Sequence, residues 1–192
     1  MVIILNKEAP ILRQKAKAVK NSQFGSPELI SIINDMKEAL SREEDGVAIA
    51  APQIGVPLRI FVVSGKVFSI GNEIEKSKEP MGIKENVVKK ENKKKSFSDK
   101  VFINPEIVRK SNDSVLLEEG CLSVRYLYGH VSRAKKVRVR ARDEFGKIFE
   151  RGSSGLLAQI FEHETDHLNG ILFIDKTKDL IEILPDGHDS KR

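Results

Sequence analysis

Disulfides are excluded by composition, because the chain holds a single cysteine, Cys121, among 192 residues. A lone thiol fits a reducing compartment. Long apolar runs are missing too. No stretch reaches the ~18–20 apolar residues that a membrane helix needs. The opening Met1-Val2-Ile3-Ile4-Leu5-Asn6-Lys7 has neither a basic leader nor an apolar segment of signal-peptide length. These absences predict a cytoplasmic protein with no membrane attachment. There are no internal repeats. Charge of one sign is also scarce outside one segment. The formal charge is +5, but residues 64–100 hold ten lysines against six acids, which leaves about +1 for everything else. A nearly neutral body argues against a specific nucleic-acid partner. Hydrophobic residues make up 40% and charged residues 32%, an ordinary globular balance. The length suits one domain over 1–192 that buries a core without covalent staples.

Ser26-Pro27-Glu28 reads as a helix start: a hydroxyl cap, proline at the first helical position and an acid in the first turn. Leu29, Ile32, Ile33, Met36 and Leu40 follow with helical spacing, which predicts an amphipathic helix over 27–43. Residues 45–55 form an unbroken small and apolar run bounded by glycines, and Leu58–Val63 reads as a buried strand. The Lys-rich insertion at about 64–100 has few residues able to bury area, so it is expected to be a partly mobile surface excursion. Strand signals resume at Val101–Val108 and Ser114–Leu117. From Lys136 to Arg142 apolar and arginine side chains alternate cleanly, followed by a turn at Asp143–Gly146 and a returning strand at Lys147–Glu150. A second helix is predicted from Gly155 to Leu168, stopped by Asn169-Gly170. Helices and antiparallel-type strands are segregated, so the class is α+β.

The second helix carries His163-Glu164-Thr165-Asp166-His167. Residues four apart share a helix face with Cβ atoms ~5–6 Å apart, so both imidazoles can reach one ion, with Glu164 beside its open side. The plainer reading is a polar helix face that happens to carry two histidines. Against it, Leu156, Leu157, Ile160, Phe161 and Leu168 mark a core helix, and buried charges need a partner such as a metal. A catalytic ion wants three protein ligands and one open position. Candidates for the third are Cys121, His130 and His188, although a lone cysteine is more often a small buried core residue. A structural zinc site is disfavoured, because such sites use two to four cysteines.

Three segments together resemble the signature motifs of the peptide deformylase family, in the family's order. They are Gly46-Val47-Ala48-Ile49-Ala50-Ala51-Pro52-Gln53, then Glu119-Gly120-Cys121-Leu122-Ser123, then His163-Glu164-Thr165-Asp166-His167. Phe102-Ile103-Asn104-Pro105 and Gln159 with Leu168-Asn169-Gly170 agree in the flanks, and the resemblance spans roughly 8–63 and 101–175. It implies antiparallel sheets packed around a central metal-bearing helix. The implied activity is a hydrolase that removes the formyl group from the formyl-methionine of nascent peptides, releasing formate. It also implies Cys121, His163 and His167 as ligands of one divalent ion, ferrous iron first, with zinc, nickel or cobalt as substitutes. Glu164 is the implied acid–base group, and the Gln53 amide and the Leu122 N–H are the implied oxyanion donors.

The first motif is expected to pair with substrate through the backbone of Gly46, Val47 and Ala48. Val47, Leu156 and Ile160 are candidates for the methionine pocket, though all three would serve as well in a core. Glu119 and Asp166 are candidate acceptors for the ligand imidazoles, with a solvated or salt-bridged role as the alternative for each. This chain departs from the common family pattern in several places: Ala48 replaces glycine, Arg125 replaces proline, and the insertion is long. Its short tail, Lys176–Arg192, contains Pro185 and Gly187 and cannot supply the long basic helix by which some members dock on the ribosome. That leaves ribosome association open, and the insertion is read as a solvated loop rather than a substitute for that helix. The rivals are a general zinc peptidase, opposed by Cys121 and Gln53, and a non-catalytic binding module, opposed by the intact set of ligands, acid and oxyanion donor.

Overall fold

The run Ile60–Val63 has no polar residue because it is buried on both faces. In the computed structural model, which describes residues 2–68 and 97–184 and the backbone of 189–190, this strand lies inside a five-stranded antiparallel sheet. With β1 (Ala48–Ala50), β2 (Ile60–Val63), β3 (Lys100–Lys110), β6 (Lys136–Arg142) and β7 (Ile148–Ser154), its order is β1-β2-β3-β6-β7. Alternation sends Ile60, Val62, Val101 and Ile103 to one face, where α1 (Pro27–Ser41) packs with Leu29, Ile33, Met36 and Leu40. Phe61, Val63 and Phe102 point to the other face, against Ile160, Phe161 and Leu168 of α2 (Gly155–Leu168). The Phe102 and Phe161 rings meet edge-on at 5.1 Å.

A second antiparallel sheet covers the far side of α2. It contains β4 (Ser114–Cys121), β5 (Val124–Ala134), β8 (Ile181–Ile183) and β9 (Asp189–Ser190). Leu12, Val124, Val131, Leu172 and Phe173 pack as a smaller core beneath it. Antiparallel sheets around one central helix are the expected α+β class. Residues two apart on a helix point ~200° apart, so with Phe161 in the main core His163 must face the second sheet. The C-terminus of α2 is pinned by Arg59, whose Nη1 donates to the Leu168 carbonyl at 3.2 Å and to Asn169 Oδ1 at 3.0 Å. Gly170 then turns the chain at φ +76°, where a Cβ would lie 2.7 Å from the Arg13 carbonyl oxygen.

Several boundaries differ from expectation. α1 stops at Ser41 rather than at residue 43, because the Gly46 N–H bonds the Glu43 carbonyl in a turn. β4 runs on to Cys121 instead of ending at Leu117, and β7 runs on to Ser154 instead of ending at Glu150. The eleven-residue strand β5 was not expected. Most of the Lys-rich insertion, residues 69–96, and the tail residues 185–188 lie outside the described residues. Among the described part of the tail, Tyr128 and Leu127 of β5 pair with β8, so residues 181–183 are strand.

Candidate metal centre

Two elements bring the donors together. β4 ends in a tight link to β5, with Cys121 opposite Val124 across a register shift, and this places the thiol over α2. Gly120 makes the approach possible, since a Cβ there would lie 2.9 Å from the Tyr128 ring. Cys121 Sγ and one ring nitrogen each from His163 and His167 all lie within 4.8 Å of one another. Bonds of ~2.0–2.3 Å to a common ion allow about that spread. Sγ is 3.2 Å from His167 Nε2. A soft thiolate with two imidazoles is a donor set for a divalent transition metal, so the residues fit such an ion. His130 is excluded from this group: it sits on the surface with Nδ1 2.6 Å from Asp179 Oδ2. His188 is outside the described residues.

Burial pushes the Cys121 thiol up, but the adjacent His167 and His163 rings outweigh it and hold it well below the usual thiol range. His163 moves the other way. Burial lowers it, and the neighbouring Cys121, Glu119 and Glu164 raise it well above the usual imidazole value. Glu164 is 3% exposed, and its Oε2 has no hydrogen-bond partner. Its burial outweighs the pull of His163 and His167 and raises the carboxyl to about 7. His167 Nδ1 is likewise buried without a partner.

Glu119 accepts from His163 Nδ1 at 2.9 Å, which turns Nε2 toward the thiol. The same carboxylate accepts from Arg133 Nε at 2.7 Å and Nη2 at 2.8 Å, and Arg133 Nη1 reaches Asp166 at 2.6 Å. Of the two roles open to Asp166 the structure takes the salt bridge: its Oδ2 meets Arg133 and Lys176 rather than an imidazole. Arg133 went unnoticed in the sequence, yet its side chain is 1% exposed and it ties the acids on both sides together. Only its place inside an unrecognised strand could have pointed to it. Ser123, also not singled out, is buried and takes part in the site through Gln53.

Gln53 is 2% exposed. Its Oε1 accepts from the Ala50 N–H at 2.8 Å, which orients Nε2 toward Ser123 Oγ at 3.0 Å and Cys121 Sγ at 3.6 Å. The Leu122 N–H has no acceptor among the described residues. These groups open onto a cleft of about 350 Å³ that also meets Gly46, Val47, Ala48, Leu156, Ile160 and Glu164. Ile160 is buried at 4%, whereas Leu156 is 44% and Val47 37% exposed. β1 is the edge strand beside this cleft. The Val47 carbonyl already accepts from the Ser64 N–H at 2.9 Å. Strand alternation therefore turns the backbone of Ala48 toward the open edge. Gly46 has a structural reason of its own, because a Cβ there would lie 2.9 Å from both Glu43 and Leu40.

The sequence and the fold have counterparts among known proteins. The family model for polypeptide deformylase matches residues 1–182. A peptide deformylase of Pseudothermotoga lettingae is 38% identical over 167 residues, covering 86% of this chain and 77% of that protein. A chloroplastic/mitochondrial peptide deformylase 1A of Arabidopsis thaliana is 39% identical over 169 residues, although the chain spans only 58% of it. Among solved structures, a Met-Ala-Ser-bound class I type b peptide deformylase from Acinetobacter baumannii superposes with a TM-score of 0.72 at 30% identity, covering 92% of this chain and 99% of that one. A peptide deformylase from Legionella pneumophila gives 0.70 at 37%, covering 93% and 86%. With the three motifs gathered at one cleft, a family model over nearly the whole chain and the same architecture in solved members, this protein belongs to the polypeptide deformylase family.

Proposed function

We infer that the protein removes the formyl group from the N-terminal formyl-methionine of newly made polypeptides, with Cys121, His163 and His167 holding ferrous iron. One observation carries the reading. A thiol and two imidazoles converge beside a buried carboxyl with an unpartnered oxygen, at the foot of a cleft walled by an open strand edge. A divalent ion held by these residues would supply Lewis acidity to water and to the formyl oxygen. Zinc, nickel or cobalt would also suit these donors, because thiolate and imidazole do not select sharply among them.

Glu164 takes the proton from the attacking water, and its raised ionisation, at about 7, suits that exchange near neutrality. As the C–N bond breaks, the same carboxyl returns the proton to the departing amine, so formate and a free N-terminus leave. The formyl oxygen gains negative charge on the way. The Gln53 amide, its oxygen fixed by Ala50, and the unspent Leu122 N–H are the donors for it; one such donor is typically worth ~2.7–4 kcal/mol. The peptide backbone adds to the edge of β1 opposite Ala48, as a strand would. Met-Ala-Ser in the Acinetobacter baumannii structure is a peptide of the length such a groove would take. Val47, Leu156 and Ile160 line the pocket for the methionine side chain. Single-domain action over 1–192 in the cytoplasm is part of the same reading.

The test is purification under anaerobic conditions with ferrous iron, metal analysis, and measurement of formate released from a formyl-Met peptide. Stoichiometric metal and formate release are expected. Metal-loaded protein that leaves the formyl peptide intact would refute the assignment.

A further inference from the structure

The two oxyanion donors come from separate parts of the chain. Gln53 sits on the single helical turn Ala51–Ile54. Leu122 belongs to the turn between β4 and β5, where Cys121 pairs with Val124 and only Leu122 and Ser123 lie between them. Ser123 joins the two parts. Its Oγ accepts from Gln53 Nε2 at 3.0 Å, across 70 positions of sequence. The amide nitrogen has one other contact with this turn, to Cys121 Sγ, and it is longer at 3.6 Å. Toward the mouth of the cleft, the hairpin is tied to the α1–β1 loop by ion pairs of Arg125 with Glu43 and Asp45. Ser123 is 2% exposed, and among the described residues its hydroxyl has no hydrogen-bond partner other than Gln53. A buried hydroxyl with a single bond offsets little more than the cost of its own burial, so the bond calls for a reason beyond stability.

We infer that Ser123 is a positioning residue: it fixes the plane of the Gln53 amide and the separation of the two oxyanion donors, and so acts on turnover without touching the peptide. The inference rests on the activity proposed above. A side-chain amide held at its oxygen alone can still swing about the bond from the Ala50 N–H to Oε1. A second bond, at the nitrogen, stops that motion. It also assigns the two N–H groups of Nε2. One goes to Ser123, and the other is left on the thiol side, where the formyl oxygen gains its charge. Ser123 is not among the described residues that line the catalytic cleft. It lines a separate cavity of about 460 Å³, bounded by the same turn and residues 2–7. It therefore reaches the reaction only through Gln53 and the turn. Fixed donors stabilise a developing oxyanion because they need not reorient as the charge appears. The bound formyl peptide carries little of that charge before attack, so loosened donors lower kcat more than they raise KM.

The test is kcat and KM for formyl-Met-Ala-Ser with the iron-loaded enzyme, each kcat taken per bound metal. Ser123→Ala should lower kcat by about three- to tenfold, the effect of loosening one neutral hydrogen bond, with KM within about twofold of wild type. Ser123→Thr keeps the acceptor and should stay near the wild-type kcat. Ser123→Val has the same shape without the oxygen and should fall with Ser123→Ala, so this pair separates the hydroxyl from the packing. In a Gln53→Ala background, adding Ser123→Ala should lower kcat by less than about twofold, because the group it positions is gone. A wild-type kcat in Ser123→Ala, equal losses in both backgrounds, or matching values for the threonine and valine variants would each overturn the inference. Wild-type enzyme that leaves the formyl peptide intact would instead refute the activity itself, and the positioning role with it.

Discussion

The Glu164 carboxyl is 3% exposed, and its Oε2 is buried with no hydrogen-bond partner. An unsatisfied buried polar group costs a fold ~1–3 kcal/mol, so its presence calls for a chemical reason. Replacing it with alanine should leave the fold and the metal content intact, because the three donors are other residues. Turnover should fall by ~10²–10⁴-fold or more. Formate release and metal analysis on the same preparation decide this, and near-normal release with metal bound would show that the proton passes through another group. Gln53 offers a contrast at the same scale. Every polar atom of its side chain is engaged, and the engagement aims its N–H groups at the thiol side of the cleft.

At the level of elements, the β4–β5 hairpin is fastened to α2 by a buried chain of charges: Asp166 to Arg133, Arg133 to Glu119, Glu119 to His163. Arg133→Met would leave Glu119 charged in the interior with His163 as its one remaining partner among the described residues, a loss of up to roughly 3–5 kcal/mol. Urea unfolding of the metal-free protein should show it as a lower midpoint. The same chain sets a pH dependence. Burial raises Glu119, but Arg133 and His163 outweigh it and hold it at about 2 against an ordinary 4.5. A lowered carboxylate contributes in full above its ordinary value and loses that contribution as pH falls from about 4.5 toward 2. Unfolding midpoints of the metal-free chain should therefore drop across that window in the wild type and drop less in Glu119→Gln. A parallel decline in both would assign the acid sensitivity elsewhere. The elements themselves were legible to different degrees. β6 and α2 could be read to the residue, because Lys136–Arg142 alternates strictly and Gly155–Leu168 has a stop signal in Asn169-Gly170. β5 was not, since Arg125-Tyr126-Leu127-Tyr128-Gly129-His130 has no period of two; its side chains answer to α2, β8 and the tail rather than to one core and one solvent face. The two histidines of the donor group could be found from motif spacing, and Cys121 only through the family resemblance. Arg133 could not, because a buried arginine leaves no local pattern and takes its meaning from partners fourteen and thirty-three residues away.

For the whole molecule, the donors come from two elements that no covalent link holds together: β4 gives Cys121, and α2 gives His163 and His167. An ion bound there is bound only by the folded chain, so it must stabilise the fold by mass action. At a free concentration a hundredfold above Kd the gain is ~2.7 kcal/mol, which for this length corresponds to roughly 5–10 °C in Tm. A chelator titration followed by calorimetry should recover that shift in reverse, and a Tm indifferent to chelation would mean that the three donors do not share an ion. The edge position of β1 has a consequence in time as well as space. An exposed strand edge can dock only a polypeptide whose own amide and carbonyl groups are still unspent. On the strand pairing proposed for β1, a chain whose first residues have already wound into a helix or joined a sheet would offer nothing for Ala48 to grip. That pairing would set the enzyme in a race with its clients: it would have to reach each new N-terminus while that end is still loose, before folding closes it off.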